Sequence, residues 1–355
     1  AAETTWNIFM KENFAAKYHK ILCKKTPDFL SKYISLPILK RLEGVGLLCG
    51  TDWTPLFHNS FFYSRLDHSL GTALIVWNFT KDKKQTIAAL LHDVSTPAFS
   101  HVSDFKNGDA LTQSSTENLN AQLIENDLEL LEFLKQDGIK VAEVNDYHIY
   151  PVADNEIPGL SADRLEYMYP SGAALDSIWT LTEIENNYNH INVLENEKGL
   201  PELGFSEENE CLIYTKKFIQ TSTILQQNED KIAMQLMADI LKLAEENKII
   251  KPSELFTFSE KELIEIFTKS AEENPSWEFS KYFRTFRGMK KILRSENEIK
   301  GFFCVDLQVK RRYINPLIKI KNGAKRISEV NKEAKEIIEQ FLQFNDTKFG
   351  CAEFL

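Results

Sequence analysis

The sequence predicts a mostly α-helical protein, a helical bundle joined to a smaller α+β lobe toward the C-terminus. Apolar residues recur at three- and four-residue intervals through most of the chain, which is the period of a helix face. Alternating apolar residues, which are typical of strands, appear late, around residues 303–320. With 355 residues, 43% of them hydrophobic, the chain is long enough to bury one large core or two smaller ones.

Two consecutive helices are predicted in the first third of the chain. The first covers residues 66–79 and carries an apolar stripe at Leu66, Leu70, Ala73, Leu74 and Trp77. The second covers residues 84–94 and stops before Pro97, which places His92 and Asp93 in its last turn. Adjacent residues on a helix diverge by about 100°. His92 and Asp93 can therefore reach one common ligand only if that ligand lies off the helix end.

Loops are predicted at residues 145–153 and 194–211, because both segments are polar and broken by Pro, Gly or Asn. Helical periodicity returns from residue 212, with a long amphipathic helix at 230–246. Ser259 to Glu262 form a capping box, which opens the next helix.

The C-terminal part of the chain predicts a small antiparallel strand pair formed by residues 303–309 and 313–320, followed by a final helix at 328–344. We expect a division near residue 205, between a helical core (1–205) and a helical and α+β lobe (206–355). The alternative is one continuous body.

Charge and cysteine content narrow the class of protein. The net charge of −10 disfavours a nucleic-acid partner, so a phosphate site has to come from a few well-placed arginines. The five cysteines are odd in number and scattered, with no Cys-x-x-Cys pair: Cys23, Cys49, Cys211, Cys304 and Cys351. We therefore expect buried, reduced thiols and a cytoplasmic protein.

The opening residues 1–5 lack the charged start and apolar run of a secretion signal, and no stretch approaches eighteen apolar residues. The sequence therefore predicts a protein that is not secreted and does not span a membrane.

Two imidazoles and two carboxylates form the most informative set of residues. They are His68, the adjacent pair His92 and Asp93, and Asp163. Imidazole nitrogen together with carboxylate oxygen holds a divalent metal and leaves positions open for water and phosphate. Manganese, iron, magnesium, zinc and nickel all remain candidates.

These residues lie in three sequence motifs, which are RLDHSLGTA (65–73), ALLHD (89–93) and SADRLEY (161–167) in chain order. A further motif, PAFSH (97–101), follows the His-Asp pair. Together they resemble the HD-domain phosphohydrolase superfamily, and in particular its deoxynucleoside triphosphate triphosphohydrolase branch. KRRYINPL (310–317) is similar to a C-terminal element of that branch. The resemblance implies an HD-domain helical bundle in which His68, His92, Asp93 and Asp163 bind the metal.

A general acid or base is expected beside the metal centre, with a carboxylate to orient it. His101 and Asp104 are three positions apart, so they share a face of a helical turn. The resemblance places the catalytic histidine and its acidic partner at these two positions. The alternative for His101 is a helix-capping or core histidine.

Substrate-binding residues are implied by the same resemblance. Residues matching Arg65 and Arg164 touch the triphosphate in the related enzymes, and the residue matching Tyr167 packs against the sugar. Guanidinium suits this task because it binds phosphate oxygens in bidentate fashion. Structural salt bridges are the alternative for both arginines.

Two departures weaken the case for a triphosphate. Thr96 stands where many relatives carry a phosphate-facing histidine, and Thr116 replaces a second histidine before Glu117. Each lost imidazole removes one hydrogen-bond donor from the phosphate chain.

We therefore expect a metal-dependent nucleotide phosphohydrolase that converts a deoxynucleoside triphosphate to nucleoside and tripolyphosphate. The alternatives are hydrolysis of a nucleoside monophosphate or cyclic nucleotide, and a nucleotide-sensing or scaffold protein without turnover. A homo-oligomer is compatible with the sequence.

Overall fold

The structure of the protein, a computed structural model, describes residues 14–113 and 117–355. It is mostly α-helical with two small sheets, and the sheets lie largely in the C-terminal part, so the predicted fold class is confirmed. The helices in chain order are α1 (residues 14–22), α2 (Leu30–Ile34), α3 (Pro37–Lys40), α4 (Arg65–Thr80), α5 (Lys83–Leu91), α6 (Val102–Lys106), α7 (Glu117–Asn126), α8 (Leu128–Gln136), α9 (Ala162–Asp176), α10 (Leu181–Tyr188), α11 (Glu208–Ile224), α12 (Asn228–Glu246), α13 (Glu260–Glu273), α14 (Glu278–Gly288), α15 (Ile327–Val330) and α16 (Lys332–Gln343). The strands are β1 (Ile191–Glu195), β2 (Pro201–Phe205), β3 (Leu293–Ser295), β4 (Phe302–Val305), β5 (Leu317–Ile320), β6 (Gly323–Arg326) and β7 (Phe349–Glu353).

Helix α4 is the central support of the fold and packs against α5 and α9. It begins with a capping box, in which the Ser64 hydroxyl accepts from the Asp67 amide and the Asp67 carboxylate accepts from the Ser64 amide. It ends at Lys81, which adopts a left-handed conformation with φ 52°. Helix α9 begins with Ser161, whose side chain accepts from the Arg164 amide. These caps fix where each helix starts, and with it the direction of the first-turn side chains.

The buried apolar side chains form two clusters. The larger one lies around α4, α5, α9 and α11, and the smaller one around α12, α13 and α14. Phe99 and Val102, which flank the turn leading into α6, belong to the smaller cluster. Val94, a few residues earlier, belongs to the larger cluster, so the chain passes from one cluster to the other in this segment. Among the described residues, no helix has the length and apolar content that crossing a membrane requires.

The strands form two sheets with the orders β1-β2-β5-β6 and β3-β7-β4. The predicted loop at 194–211 is wrong in part, because its residues up to Phe205 belong to the antiparallel hairpin β1–β2 and its residues from Glu208 onward belong to α11. The predicted pairing of 303–309 with 313–320 is also wrong. Strand β4 pairs with β7, whereas β5 pairs with β6 and, in parallel, with β2. A Cβ on Gly204 would lie 2.7 Å from the Leu317 carbonyl oxygen, so the close approach of β2 and β5 requires glycine there.

The predicted final helix at 328–344 is interrupted at Asn331, whose side chain accepts from the Ala334 amide and starts α16. The division near residue 205 stays a prediction. Strand β2 lies before this point and β5 after it, and the two strands belong to one sheet.

Cys304 and Cys351 form a disulfide, so the expectation of five reduced thiols is wrong for this pair. The two residues are 47 positions apart in the sequence, but the antiparallel pairing of β4 with β7 places them directly opposite each other. Their Cα atoms lie 4.1 Å apart. Cys23, Cys49 and Cys211 are free cysteines.

Candidate active site

A cavity of about 490 Å³ lies between α4, α5, α9, the turn before α6 and the segment that precedes β5. All nine residues singled out by the sequence line it: Arg65, His68, His92, Asp93, His101, Asp104, Asp163, Arg164 and Tyr167. These residues are up to about a hundred positions apart in the sequence, so it is the tertiary fold that brings them together.

The four expected metal ligands converge at one end of this cavity. His68 Nε2 lies 3.2 Å from His92 Nε2 and 3.0 Å from Asp163 Oδ1. His92 Nε2 lies 3.6 Å from Asp163 Oδ1, and ligand atoms of these three residues are all within 4.8 Å of one another. Asp93 Oδ2 lies 3.7 Å from His68 Nε2 and 3.5 Å from His92 Nε2. The donors are therefore gathered around one point.

Each imidazole is oriented by its other ring nitrogen. His68 Nδ1 donates to the buried Glu166 carboxylate, and His92 Nδ1 donates to the Ala89 carbonyl at 2.6 Å. A carboxylate and a carbonyl can only accept here, so Nδ1 carries the proton in both rings. Both Nε2 atoms consequently face the Asp163 carboxylate. This is the arrangement in which an outer hydrogen bond fixes the tautomer of a metal-binding histidine.

Glu166 is the most important site residue that the sequence interpretation missed. It is fully buried and also accepts a hydrogen bond from the Tyr63 hydroxyl. The space it occupies exists because residue 71 is glycine: a Cβ there would lie 2.3 Å from Glu166 Oε1. Glu166 follows Asp163 by three positions, and Gly71 follows His68 by three. This spacing, which puts each pair on one helix face, is the signal that could have indicated their joint role.

The charges of this centre favour a bound cation. Burial alone would lower the pKa of His68, but Glu166 and Asp163 raise it to about 10. Burial alone would raise the pKa of Asp163, yet His68 and His92 hold it well below its usual range. The carboxylates thus draw positive charge onto the two imidazoles. A divalent cation satisfies the same electrostatic demand.

The donor set fits a metal ion. Ligand atoms bound at about 2.1 Å around one ion lie roughly 3.0–3.4 Å apart, and the closest separations here are 3.0 and 3.2 Å. His68, His92 and Asp163 would hold the ion, with Asp93 next to them. An ion bound at Nε2 would take the place of the second ring proton, and two imidazoles that are neutral in this way, together with carboxylates, are ligands that suit manganese, iron, zinc or nickel.

Arg65 and Thr96 both hold Asp93. The buried Arg65 guanidinium donates to Asp93 Oδ2 at 3.0 Å and to Ser100 Oγ at 2.9 Å, while the Thr96 hydroxyl donates to Asp93 Oδ1 at 3.1 Å. Burial would raise the pKa of Asp93, but His92 and Arg65 lower it far more. Arg65 therefore has a salt bridge within the protein, and the Thr96 hydroxyl supports the same carboxylate.

Arg164 lines the cavity but is held by the loop that precedes α9. Its Nε donates to the Gly159 carbonyl at 2.9 Å, one terminal nitrogen lies 3.3 Å from Asp154 Oδ1, and the other bonds to Asn155. These contacts connect α9 to residues 154–159. They agree with the structural alternative for Arg164, and its contact with a phosphate stays a prediction.

Two tyrosines border the cluster of candidate metal ligands. The ring of Tyr167 lies edge-on to His68, with 6.2 Å between ring centroids. Tyr147 was not singled out in the sequence; its hydroxyl donates to Asp163 Oδ2 at 3.3 Å and its ring lies 4.7 Å from that of His92. It comes from a short 3₁₀ turn, Tyr147–Ile149, inside a segment predicted as a loop. A polar loop offered no pattern that could have placed it there.

His101 and Asp104 form the expected pair, with Nδ1 2.9 Å from Asp104 Oδ2. The preceding residues Phe99 and Ser100 have φ values of 63° and 54°, a conformation that costs a non-glycine residue energy. This turn presents the ring to the cavity, and about a third of the His101 side chain is exposed. Burial lowers the pKa of His101, Asp104 opposes this, and Arg65 is a further cause of lowering. Thr116, the second departure in sequence, lies outside the described residues.

Comparison with known proteins bears on the fold. No protein-family model matches the chain. The uncharacterized protein YdhJ of Bacillus subtilis is 30% identical over 151 residues, which are 42% of this chain and 41% of that protein. The match therefore spans less than half of this curated relative's length.

Two solved structures share the fold over nearly the whole chain. A phosphohydrolase from Bacteroides thetaiotaomicron superposes with a TM-score of 0.61 and 14% identity, covering 93% of this chain and 97% of that one. A hypothetical protein from Aquifex aeolicus superposes with a TM-score of 0.58 and 16% identity, covering 93% of each chain. The protein therefore has a phosphohydrolase-like fold, with a His–His–Asp cluster that could hold a metal ion.

Proposed function

We propose that the protein is an HD-type, metal-dependent phosphohydrolase that acts on a nucleotide. The observation that carries this proposal is that one cavity contains both the candidate metal ligands and a candidate general acid with its carboxylate partner. Its lining contains the cluster His68, His92 and Asp163 with Asp93, and also the hydrogen-bonded pair His101 and Asp104. Metal ligands beside a carboxylate-oriented histidine can together activate a water, stabilise negative charge on phosphoryl oxygens and supply a proton, which suits phosphoester hydrolysis.

The specific reaction we propose is hydrolysis of a deoxynucleoside triphosphate to deoxynucleoside and tripolyphosphate. Water adds to the α-phosphorus, the bond from this phosphorus to the sugar 5′ oxygen breaks, and the 5′ oxygen takes up a proton. A bound divalent cation would supply an activated water and share the negative charge on the phosphoryl oxygens.

The residues of the chain have distinct parts in this reaction. His101 delivers the proton to the leaving 5′ oxygen, and Asp104 orients its ring through Nδ1. Arg65 keeps Asp93 ionised and places positive charge beside the phosphate. Tyr167 contacts the sugar. Glu166 and Ala89 hold the two imidazoles in the tautomer that leaves Nε2 free to bind the ion.

A nucleotide panel tests this proposal. Protein loaded with manganese or magnesium is incubated with the four deoxynucleoside triphosphates, a nucleoside monophosphate and a cyclic nucleotide, and the products are separated. Tripolyphosphate together with nucleoside is the expected result, and it should be absent in Asp93→Ala. Release of phosphate or pyrophosphate instead would refute the proposed bond cleavage.

A second candidate is hydrolysis of an ester with fewer phosphates. The observation that favours it is the engagement of Arg65 with Asp93 and of Arg164 with Asp154, which reduces the charge available to a triphosphate. Turnover of a monophosphate or cyclic nucleotide in the same panel would support this candidate. Nucleotide binding without any turnover would instead indicate a sensor or scaffold.

A further inference from the structure

Three arginines line the cavity, and the third of them, Arg312, differs from the other two in its contacts. Arg312 lines the cavity, and its guanidinium donates to the neutral side-chain oxygen of Gln113 at 2.6 Å. Arg65 and Arg164, by contrast, each contact a carboxylate. Among the residues that the structure describes, no ion pair involves Arg312. Of the three arginines that line the cavity, Arg312 is therefore the one that forms no ion pair with a described residue.

Burial weakens the negative charge of Asp230, an acidic residue of the same cavity that interacts electrostatically with Arg312. Asp230 lines the same cavity, and burial raises its pKa to about 7 although Arg312 and Lys231 oppose the rise. This rise favours the protonated, uncharged form of Asp230. Arg312 also acts on the reactive end of the cavity, since its charge helps to lower the pKa of His101 and opposes the rise at Tyr167.

The chain segment that carries Arg312 is held firmly against the cavity. The Lys310 amide donates to the Ala110 carbonyl at 3.2 Å, and the Lys310 carbonyl accepts from Gln226 at 2.8 Å. Further along, the Asn315 amide donates to the Pro158 carbonyl at 2.8 Å. Three separate parts of the fold thus fix residues 310–315, so that Arg312 is already in place before a ligand binds.

We infer that Arg312 is the anchor for a polyphosphate chain that extends from the metal centre. Arg312 lines the same cavity as His101 and Tyr167 and forms no ion pair within the described part of the chain, so its guanidinium can bind an anionic group in bidentate fashion. The inference rests on the proposed function, because it takes the reacting phosphate to lie at the metal ligands. It adds the residue that binds the remaining phosphates.

Arg311 is a matched control one position away. Its guanidinium donates to the carbonyls of Phe341 and Phe344, at the C-terminal end of α16, and it is not among the cavity-lining residues. Arg311→Gln and Arg312→Gln remove the same charge from the same segment. They differ in whether the guanidinium faces the cavity.

The test is a calorimetric titration of the whole manganese-loaded chain with inorganic tripolyphosphate, and separately with inorganic phosphate, at equal free manganese in cell and syringe. We expect Arg312→Gln to weaken tripolyphosphate binding by about ten- to hundredfold, the value of one charged hydrogen bond. The loss for inorganic phosphate should be smaller, and Arg311→Gln should bind like the wild type. If Arg312→Gln does not fold, Arg312→Lys replaces it and should lose affinity because the planar fork is gone.

Unchanged tripolyphosphate binding in Arg312→Gln, or in Arg312→Lys where it is used, would overturn the inference, and so would an equal loss in Arg311→Gln. Wild-type protein that binds no tripolyphosphate would overturn it as well. A non-hydrolysable deoxynucleoside triphosphate is titrated in the same way. If its binding depends on Arg312 and is tighter than that of tripolyphosphate, the ligand of Arg312 is the phosphate chain of a nucleotide. If the two bind with equal affinity, the ligand is inorganic polyphosphate. Binding and turnover are measured separately in these experiments. Binding that depends on Arg312 without any hydrolysis would therefore contradict the proposed function and leave the role of Arg312 standing.

Discussion

Gly71→Ala should damage the metal centre although the changed residue touches no expected ligand. A Cβ at position 71 would lie 2.3 Å from Glu166 Oε1 and 2.8 Å from its Cγ and Cδ. Non-bonded heavy atoms normally keep about 3.5 Å, so the carboxylate has to retreat by about 1 Å. Glu166 is fully buried between His68 and Tyr63 and has little room to do so.

Two effects of Gly71→Ala can be measured. Overpacking a buried site costs about 1–3 kcal/mol, so urea unfolding of the metal-free protein should show a lower free energy of unfolding. Loss of the Glu166 contact should let the His68 ring turn and weaken manganese binding by about 10- to 100-fold. Calorimetric titration with manganese gives the second value directly.

A double-mutant cycle with Glu166→Ala isolates the clash. That substitution removes the three atoms that the Cβ would approach most closely, and alanine in place of glycine inside a helix should then stabilise the protein by about 1 kcal/mol. The sign of the Gly71→Ala effect on unfolding should therefore reverse. The reasoning is refuted if Gly71→Ala is as stable and binds manganese as tightly as the wild type, or if its cost persists in the Glu166→Ala background.

Three further predictions concern the expected ligands, the buried arginine and the proton donor. Asp93→Ala should remove most of the bound divalent ion, because an anionic donor beside both imidazoles is lost; elemental analysis showing an unchanged metal content would rule out this ligand set. Arg65→Ala should weaken nucleotide binding by about ten- to hundredfold, measured per folded molecule; a variant that unfolds while the folded fraction binds normally would make Arg65 a structural salt-bridge residue. His101→Ala should lower kcat by about 10²–10⁴-fold with metal and nucleotide still bound, and Asp104→Asn should lower kcat as well. The pKa of His101 is lowered from its usual range by burial and by the charges of Arg65 and Arg312. Because the proton donor must be protonated, wild-type kcat should fall as pH rises through that lowered pKa, and Arg312→Gln should shift this fall to higher pH. A pH profile of kcat that is the same in His101→Ala would exclude His101 as the donor.

The helical part of the fold could be predicted from the sequence because helix periodicity and caps are recorded locally, whereas the resemblance implied the candidate ligands, and their binding of a metal stays a prediction. The predicted helix at 66–79 is observed as α4, Arg65–Thr80, since apolar spacing and the Ser64 cap are properties of neighbouring residues. The capping box at Ser259 likewise begins α13 as expected. Strand pairing was predicted poorly, because β4 selects β7 and β5 selects β2 through contacts between residues far apart in the chain.

The sequence by itself determined the helical fold class and the set of histidines, aspartates and arginines from which a metal-dependent site can be proposed, since residue type and spacing carry this information. Only the tertiary structure decided what each side chain contacts. It placed Glu166 against His68 in the space left by Gly71, paired Arg65 with Asp93, and turned Arg164 toward its own loop. It also brought Arg312 from the distant C-terminal segment into the cavity. The physical reason is that hydrogen bonds and ion pairs form only when two groups lie within a few ångströms of each other. Local sequence patterns do not show which distant parts of the chain come that close.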